Sequence, residues 1–358
     1  MTSPVRRRLL QLAVTLPATA LAAPAILRTP PVLRFGVASA GVGDPPRITT
    51  GTMAIVQAGR YLEQEFRADG IKVEWVFFKG EGPAVNEALA NRQLDFSIQG
   101  GLPAIVGRAV GLDTRAVFVS GNRANTYVMV PAHSSIRQVA ELRGRRVAFH
   151  KGTATQLAAN RILGLHGLNE KDMRVLNLDP AGAQAALAAG DLDAVFGTIN
   201  VLRLRETGVA RQIFSTRDTP AATSPSQVVV HQDFARRHPD LTQRVVTALV
   251  RAADWMSNEA NRDEVFATWG RSGSISAAMV REEYGGVPLA ERHAPHFDPF
   301  VLARMQQSID DAHRFRLIRR TFDAAAWTDS RYLDAALRSL GLQVRWPRFD
   351  GAGRRIAA

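Results

Sequence analysis

The stretch GIKVEWVFFKGEGPAVNEALANRQLDFSIQGGLPAIVGRAVG, residues 70–111, sets the fold class. Residues 71–78 form a β-branched and aromatic run of strand type. Residues 84–91 carry helix formers, 94–99 return to a short apolar strand, and 103–110 read as a second helix. Strands alternating with helices build parallel sheets covered by helices, so the reading is α/β. Upstream, VLRFGVA (residues 32–38) is a buried strand and residues 53–68 are a helix. Downstream, residues 115–120 are a strand, and TYVMVP at 126–131 opens a second set with strands at 145–150, 173–178 and 192–197 and helices at 155–166 and 181–189. The Ser/Thr/Pro-rich stretch STRDTPAATSPS, 215–226, reads as a crossover, and SQVVVH, 226–231, as a returning strand. From residue 234 the pattern is helical, at 239–257, 262–269, 277–284, 299–312 and 329–340. The expected organisation is a discontinuous lobe 1 (32–125 plus 226–340), a lobe 2 (126–225) and a basic tail (341–358), with a cleft between the lobes where small ligands bind.

At 358 residues, 46% hydrophobic and 22% charged, the chain is long enough for two lobes and falls outside the disordered, collagen-like and coiled-coil classes. Cysteine is absent, which removes disulfides, thiolate nucleophiles, thiolate metal ligands and a lipid-modified N-terminal cysteine. No apolar run reaches the roughly 20 residues of a membrane span. Arg6, Arg7 and Arg8, the run LLQLAVTLPATALAA and small residues with A-x-A spacing make residues 1–25 a secretory signal pattern, and the R-R-R-L-L order resembles the twin-arginine export motif. Removal of residues 1–25 takes away three Arg and no acid, lowering the net charge from +12 to +9. The basic residues are almost all Arg and are scattered, without interleaved aromatics on a recognition helix, so no nucleic-acid partner is expected.

Three segments together resemble the substrate-binding proteins of ABC importers for alkanesulfonates, taurine and nitrate. They are GIKVEWVFFKGEGPAVNEALANRQLDFSIQGGLPAIVGRAVG at 70–111, SSIRQVAELRGRRVAFHKGTATQLAANRILGLHGLNEKDMRVLNLDPAGAQAALAAGDLDAV at 134–195, and FARRHPDLTQRVVTALVRAADWMSNEANRDEVFATW at 234–269. The resemblance implies a two-lobed type II periplasmic binding protein fold with two crossover strands and a helical C-terminal segment. It also implies a periplasmic location, a small anionic organic ligand, an ABC permease as partner and a monomer that binds without catalysis. Two loops depart from the family pattern: Phe196-Gly197-Thr198-Ile199-Asn200 after the strand at 192–197, and Ala40-Gly41-Val42-Gly43-Asp44-Pro45-Pro46 after the first strand. Both line the cleft in the family.

Candidate ligand contacts follow from turn chemistry and from the family's positions. Gly100, Gly101 and Leu102, with Pro103 behind them, leave a strand and start a helix, which points backbone N–H groups into the cleft. Gly152, Thr153 and Thr155 repeat the construction in lobe 2, where the threonines cap the helix or donate to an anion. Two facing helix starts can hold an anion without a salt bridge. Lys79 and Gly80 occupy the loop after the second strand, as an anion partner or as solvated residues. Arg123 and Asn125 precede the first crossover, where an Arg fork suits a planar or tetrahedral anion. Thr198 and Asn200 offer neutral hydrogen bonds. His150, His293 and His296 lie near cleft segments without metal-ligand spacing. No G-x-S-x-G, P-loop or Rossmann glycine pattern occurs, so no catalytic residue, metal or cofactor is expected. Two other readings remain open at this point: an enzyme on the same bilobal fold, of thiamine-pyrimidine or menaquinone-pathway type, and a periplasmic ligand sensor module.

Overall fold

A computed structural model describes residues 29–219, 222–271 and 273–356; the signal pattern at 1–25 lies outside the described residues. Ten strands fall into two five-stranded sheets. The first contains β1 (Val32–Val37), β2 (Lys72–Phe77), β3 (Phe96–Gln99), β4 (Thr114–Gly121) and β10 (Ser226–His231), in the order β2-β1-β3-β10-β4. The second contains β5 (Tyr127–Pro131), β6 (Arg146–Phe149), β7 (Arg174–Asn177), β8 (Ala194–Gly197) and β9 (Ala210–Ser215), in the order β7-β6-β8-β5-β9. Within each sheet four strands run in one direction, and the strand that enters from the other sheet runs against them: β10 between β3 and β4, β5 between β8 and β9. The chain therefore crosses between sheets twice.

The inner parallel strands β1, β3, β6 and β8 are largely buried because helices cover both faces of the sheets, while the edge strands β2 and β7 carry exposed Lys72, Glu74 and Arg174. Phe35 of β1 is fully buried and stacks on Phe96 of β3 with ring centroids 4.8 Å apart. The long helix Pro239–Ser257 turns Val245, Val246, Leu249, Ala252, Ala253 and Met256 into the same core. The helix read over 53–68 is two helices, Thr52–Ala58 and Tyr61–Phe66. The first ends at Gly59, where a Cβ would sit 2.5 Å from the Tyr61 ring, and Arg60 follows in the left-handed region at φ 54°. Residues of the stretch 341–358 pack against the body: Trp346 is buried and donates to Ser257 Oγ at 2.8 Å, and Phe349 is buried as well.

Three of the contacts that join the two sheet layers lie around the cleft. Arg161, on the helix Ala154–Leu165, is buried and bonds Asp311 Oδ2 (2.7 Å), Thr223 O (2.9 Å), Ser224 Oγ (2.9 Å) and Ser308 Oγ (3.0 Å). Asp311 and Ser308 belong to the C-terminal helix Pro299–Arg314, which packs on the helix Gly101–Ala109. At the opposite side His150 Nδ1 stands 3.2 Å from Glu81 Oε2. Between them, a Cβ on Gly100 would lie 2.8 Å from the Cβ of Ala154. The layers are therefore in direct contact.

Candidate ligand-binding site

A cavity of about 350 Å3 opens at the C-terminal ends of β1, β3 and β4. Parallel strands place these ends, and the turns that follow them, on one side of the sheet, where ligands of open α/β sheets bind. Residues 37–39, 98–100 and 120–122 form the floor; Thr50, Gly51 and Thr52 lead into the helix Thr52–Ala58; Thr198 reaches in from the second sheet; Tyr284, Arg292 and His293 close the wall.

Arg292 supplies the only cation of this lining, and no Asp or Glu lines it among the described residues. The guanidinium is buried and bound to Glu283, donating to the Glu283 main-chain O at 3.0 Å and pairing with Oε1. Glu283 is also the acceptor for the Tyr127 hydroxyl at 2.6 Å and for the Asn125 main-chain N–H at 3.1 Å. Burial, reinforced by the Glu283 carboxylate, pushes the Tyr127 phenol up, so it stays a donor throughout the physiological range. Four groups from three segments thus converge where the chain crosses between sheets. Four buried polar atoms of the lining have no hydrogen-bond partner: Gln99 Oε1, Asn122 Oδ1, Arg292 Nε and His293 Nε2. Buried polar atoms are nearly always paired, so a cluster of orphans in one cavity marks a place where a polar ligand completes the network. A rotated amide would present the NH2 groups of Gln99 and Asn122 to an anion alongside the Arg292 N–H.

His293 is fully buried, with Nδ1 3.4 Å from Thr52 Oγ1, and its pKa is pushed down to about 3 by burial first and by the Arg292 guanidinium second. The ring is neutral in the folded protein and takes a proton on unfolding below about pH 6.5. The unfolded state then binds more protons, so this histidine's contribution to stability is complete above about pH 6.5 and is lost as pH falls from there toward 3. Urea midpoints measured at pH 7.5 and 4.5 are expected to fall less for His293→Asn than for the unsubstituted protein. Equal falls would assign the acid sensitivity to other groups.

The structure gathers some of the residues singled out in the sequence and separates others. Gly100 and Thr198 line the cavity. Thr155, Thr198 and Asn200 line a small adjoining cavity of about 30 Å3, and the Thr198 hydroxyl donates to Asn200 Oδ1 at 3.1 Å. Gly101 packs beside Ser224, where a Cβ would come within 3.0 Å of the serine Cβ, and Leu102 is fully buried in the core. Groups of the second helix start are engaged within lobe 2. The Thr153 hydroxyl donates to His150 O at 2.7 Å and the Gly152 N–H to Gln156 Oε1 at 2.8 Å. The two helix starts approach closely at Gly100 and Ala154, where a Cβ on Gly100 would lie 2.8 Å from that of Ala154. Lys79 and Gly80 are exposed and line none of these cavities. Arg123 adopts φ 56° and lies between the rings of Phe300 and Phe349, 4.9 and 4.6 Å from their centroids, with Glu291 at 3.5 Å. Asn125 is buried at the crossing. Of the departing loop at 40–46, Pro45 and Pro46 line a separate outer recess rather than the cleft. Gln99 and Asn122 adjoin residues the turn chemistry had marked. Arg292 lies far along the chain on the short helix Leu289–Arg292, with no spacing signal to connect it.

Comparison with known proteins agrees with this geometry. The chain is 28% identical over 288 residues, 80% of this chain and 84% of the relative, to a protein of Bacillus subtilis (strain 168) named "Putative aliphatic sulfonates-binding protein". The periplasmic sulfonate-binding protein SsuA from Methylobacillus flagellatus KT superposes with a TM-score of 0.76 at 28% identity, covering 89% of this chain and 97% of that one. The alkanesulfonate-binding protein SsuA from Xanthomonas axonopodis pv. citri, bound to MOPS, gives 0.68 at 26% identity, covering 85% and 99%. A desulfurization enzyme, DSZB, shares the fold alone, at 16% identity and a TM-score of 0.66 over 86% of this chain and 99% of that one. The two-sheet, twice-crossed architecture is the type II periplasmic binding protein fold. With the family model described as NMT1/THI5 like matching residues 58–262, the chain belongs to the NMT1/THI5 like family.

Proposed function

We propose that this protein captures a small organic anion of the sulfonate type in the interlobe cleft and delivers it to an ABC permease, acting as a monomer in the periplasm. The observation that carries the reading is the cluster of unpartnered Gln99, Asn122 and Arg292 atoms in a cavity whose lining has one cation and no carboxylate. The names of its relatives support the same ligand class. Residues 32–125 with 226–340 act as one lobe and 126–225 as the other. Residues 1–25 direct export, by the twin-arginine route. Closure turns on the crossings, where the Thr126 N–H donates to Thr216 Oγ1 (2.9 Å) and the Thr216 N–H to Thr126 O (3.0 Å). Burying the anion against preorganised donors then stabilises the closed form that a permease recognises.

A bound sulfonate satisfies the N–H donors, and its alkyl group meets the apolar side of the lining at Val37, Ile48, Met53 and Ile98. Taurine adds an ammonium that finds no carboxylate there and leaves water without an equivalent partner. Isothermal titration of the purified protein with short alkanesulfonates, taurine and nitrate is expected to give binding of an alkanesulfonate and at least tenfold weaker binding of taurine, about 1.4 kcal/mol. Absence of heat and of thermal stabilisation with every anion would refute the proposed function. Equal affinity for taurine would refute only the assignment of selectivity to the missing carboxylate.

A further inference from the structure

A second concavity, of about 620 Å3, lies on the outer side of the first sheet, between the loop at 45–48, strand β2 and the end of the helix Arg262–Gly270. Residues 72, 73, 74 and 75 of β2 all line it. Successive side chains of a strand point to opposite faces, so a recess touched by four consecutive residues runs along the strand's edge rather than over a face. β2 is the outermost strand of its sheet and pairs only with β1, which leaves one row of its main-chain groups without a strand partner. Such an edge is a ready template for an additional strand.

The rim gives that edge a sign. Arg47, Arg60, Lys72 and Arg271 line the recess, all are exposed, and none of their side chains has an ion-pair or hydrogen-bond partner among the described residues. Some arginines elsewhere are matched to carboxylates, as Arg244 is to Glu65 and Asp69 and Arg331 to Asp329, and others, such as Arg174 and Arg319, are exposed without one; what sets these four cations apart is that they share one recess beside a free strand edge. Of the two acids in the recess, Glu63 already accepts from Trp75 Nε1 at 2.9 Å. Trp75 and Phe77 are half-buried and supply apolar surface between the cations. The departing Pro45-Pro46 segment forms one wall, and the helix break at Arg60 forms part of another.

We propose that the free edge of β2 takes an extended, acidic segment of a partner protein as an added strand, with the partner's carboxylates meeting the four cations and an apolar side chain resting on Trp75 and Phe77. The surface is separate from the cleft, and the proposal does not depend on which anion the cleft holds.

The test is fluorescence anisotropy of purified protein with labelled peptides of about ten residues, alternating Glu and Val or Lys and Val, with and without a sulfonate in the cleft. The acidic peptide is expected to bind in both conditions and the basic one not at all. Arg47→Ser/Arg60→Ser/Arg271→Ser is expected to weaken binding about tenfold, three surface charge contacts at ordinary strength. Arg174→Ser/Arg319→Ser/Arg320→Ser removes the same charge from exposed positions outside the recess and is expected to change binding less than about twofold. Methylating alternate peptide nitrogens, which removes strand hydrogen bonds and keeps the charge, is expected to weaken binding as much as the first triple variant. No binding of the acidic peptide overturns the proposal. Equal losses in the two triple variants reduce it to general attraction, and indifference to N-methylation overturns the added strand.

Discussion

Glu283→Ala is expected to lower the stability of the protein by about 3–5 kcal/mol, the cost of leaving a buried charge without its partner. The side chains of Glu283 and Arg292 are each only 4% exposed, so water cannot take over when one of them is removed. The substitution also strips the Tyr127 hydroxyl and the Asn125 N–H of their acceptor at the crossing between sheets. Urea denaturation should show the loss as a lower midpoint. The double variant Glu283→Leu/Arg292→Leu should recover much of it, because an apolar pair in place of both ions leaves nothing unpaired. Arg292 lines the ligand cavity, so the double variant should remain poor at binding an anion while regaining stability. A midpoint for Glu283→Ala within about 0.5 kcal/mol of the unsubstituted protein would show that the pair is not the support described here.

The second large effect is expected on binding rather than folding. Gly100→Val should weaken anion affinity by about 30- to 100-fold, corresponding to roughly 2–3 kcal/mol of overpacking that falls only on the closed form. The Gly100 backbone, at φ −66°, is acceptable to any residue, so the cost is not one of backbone strain. It comes from the neighbouring lobe, because a Cβ at this position would lie 2.8 Å from that of Ala154. A wedge there holds the helix starts apart while each sheet keeps its own core. The companion variant Gly100→Val/Ala154→Gly removes the opposing methyl group and should restore most of the affinity. Titration calorimetry reads the affinity and circular dichroism checks that the fold is unchanged. Unchanged affinity in the single variant, or no recovery in the double, would show that the contact does not limit closure.

These expectations draw unevenly on what the sequence makes visible. The two sheets follow from local patterns: the inner parallel strands are largely apolar and the intervening helices are periodic, so β1 and the helix Ala154–Leu165 emerge within a residue or two of their sequence reading. The break at Gly59 and Arg60 does not, since a left-handed arginine and the close approach of the Tyr61 ring to Gly59 leave no local sequence signal. The cleft divides in the same way. Gly100 is legible because a glycine pair before a proline marks a strand-to-helix turn. Arg123 carries the same charge and motif context as a ligand contact, yet two aromatic rings claim it. Arg292 reaches the cleft only because the C-terminal helices return to the first sheet. Local chemistry marks turns, and long-range packing decides which of them face the ligand.

The placement of Arg123 has a temporal consequence. Its guanidinium lies at the first crossing between sheets, and one of the two rings that hold it is Phe349, close to the chain's end. During synthesis both sheets can assemble once β10 has emerged, but the support of the crossing is incomplete until more than a hundred further residues follow. The packing of Arg123 at this crossing is therefore complete only after residue 349 has been made, and a chain stopped between β10 and Phe349 carries both sheets without that ring.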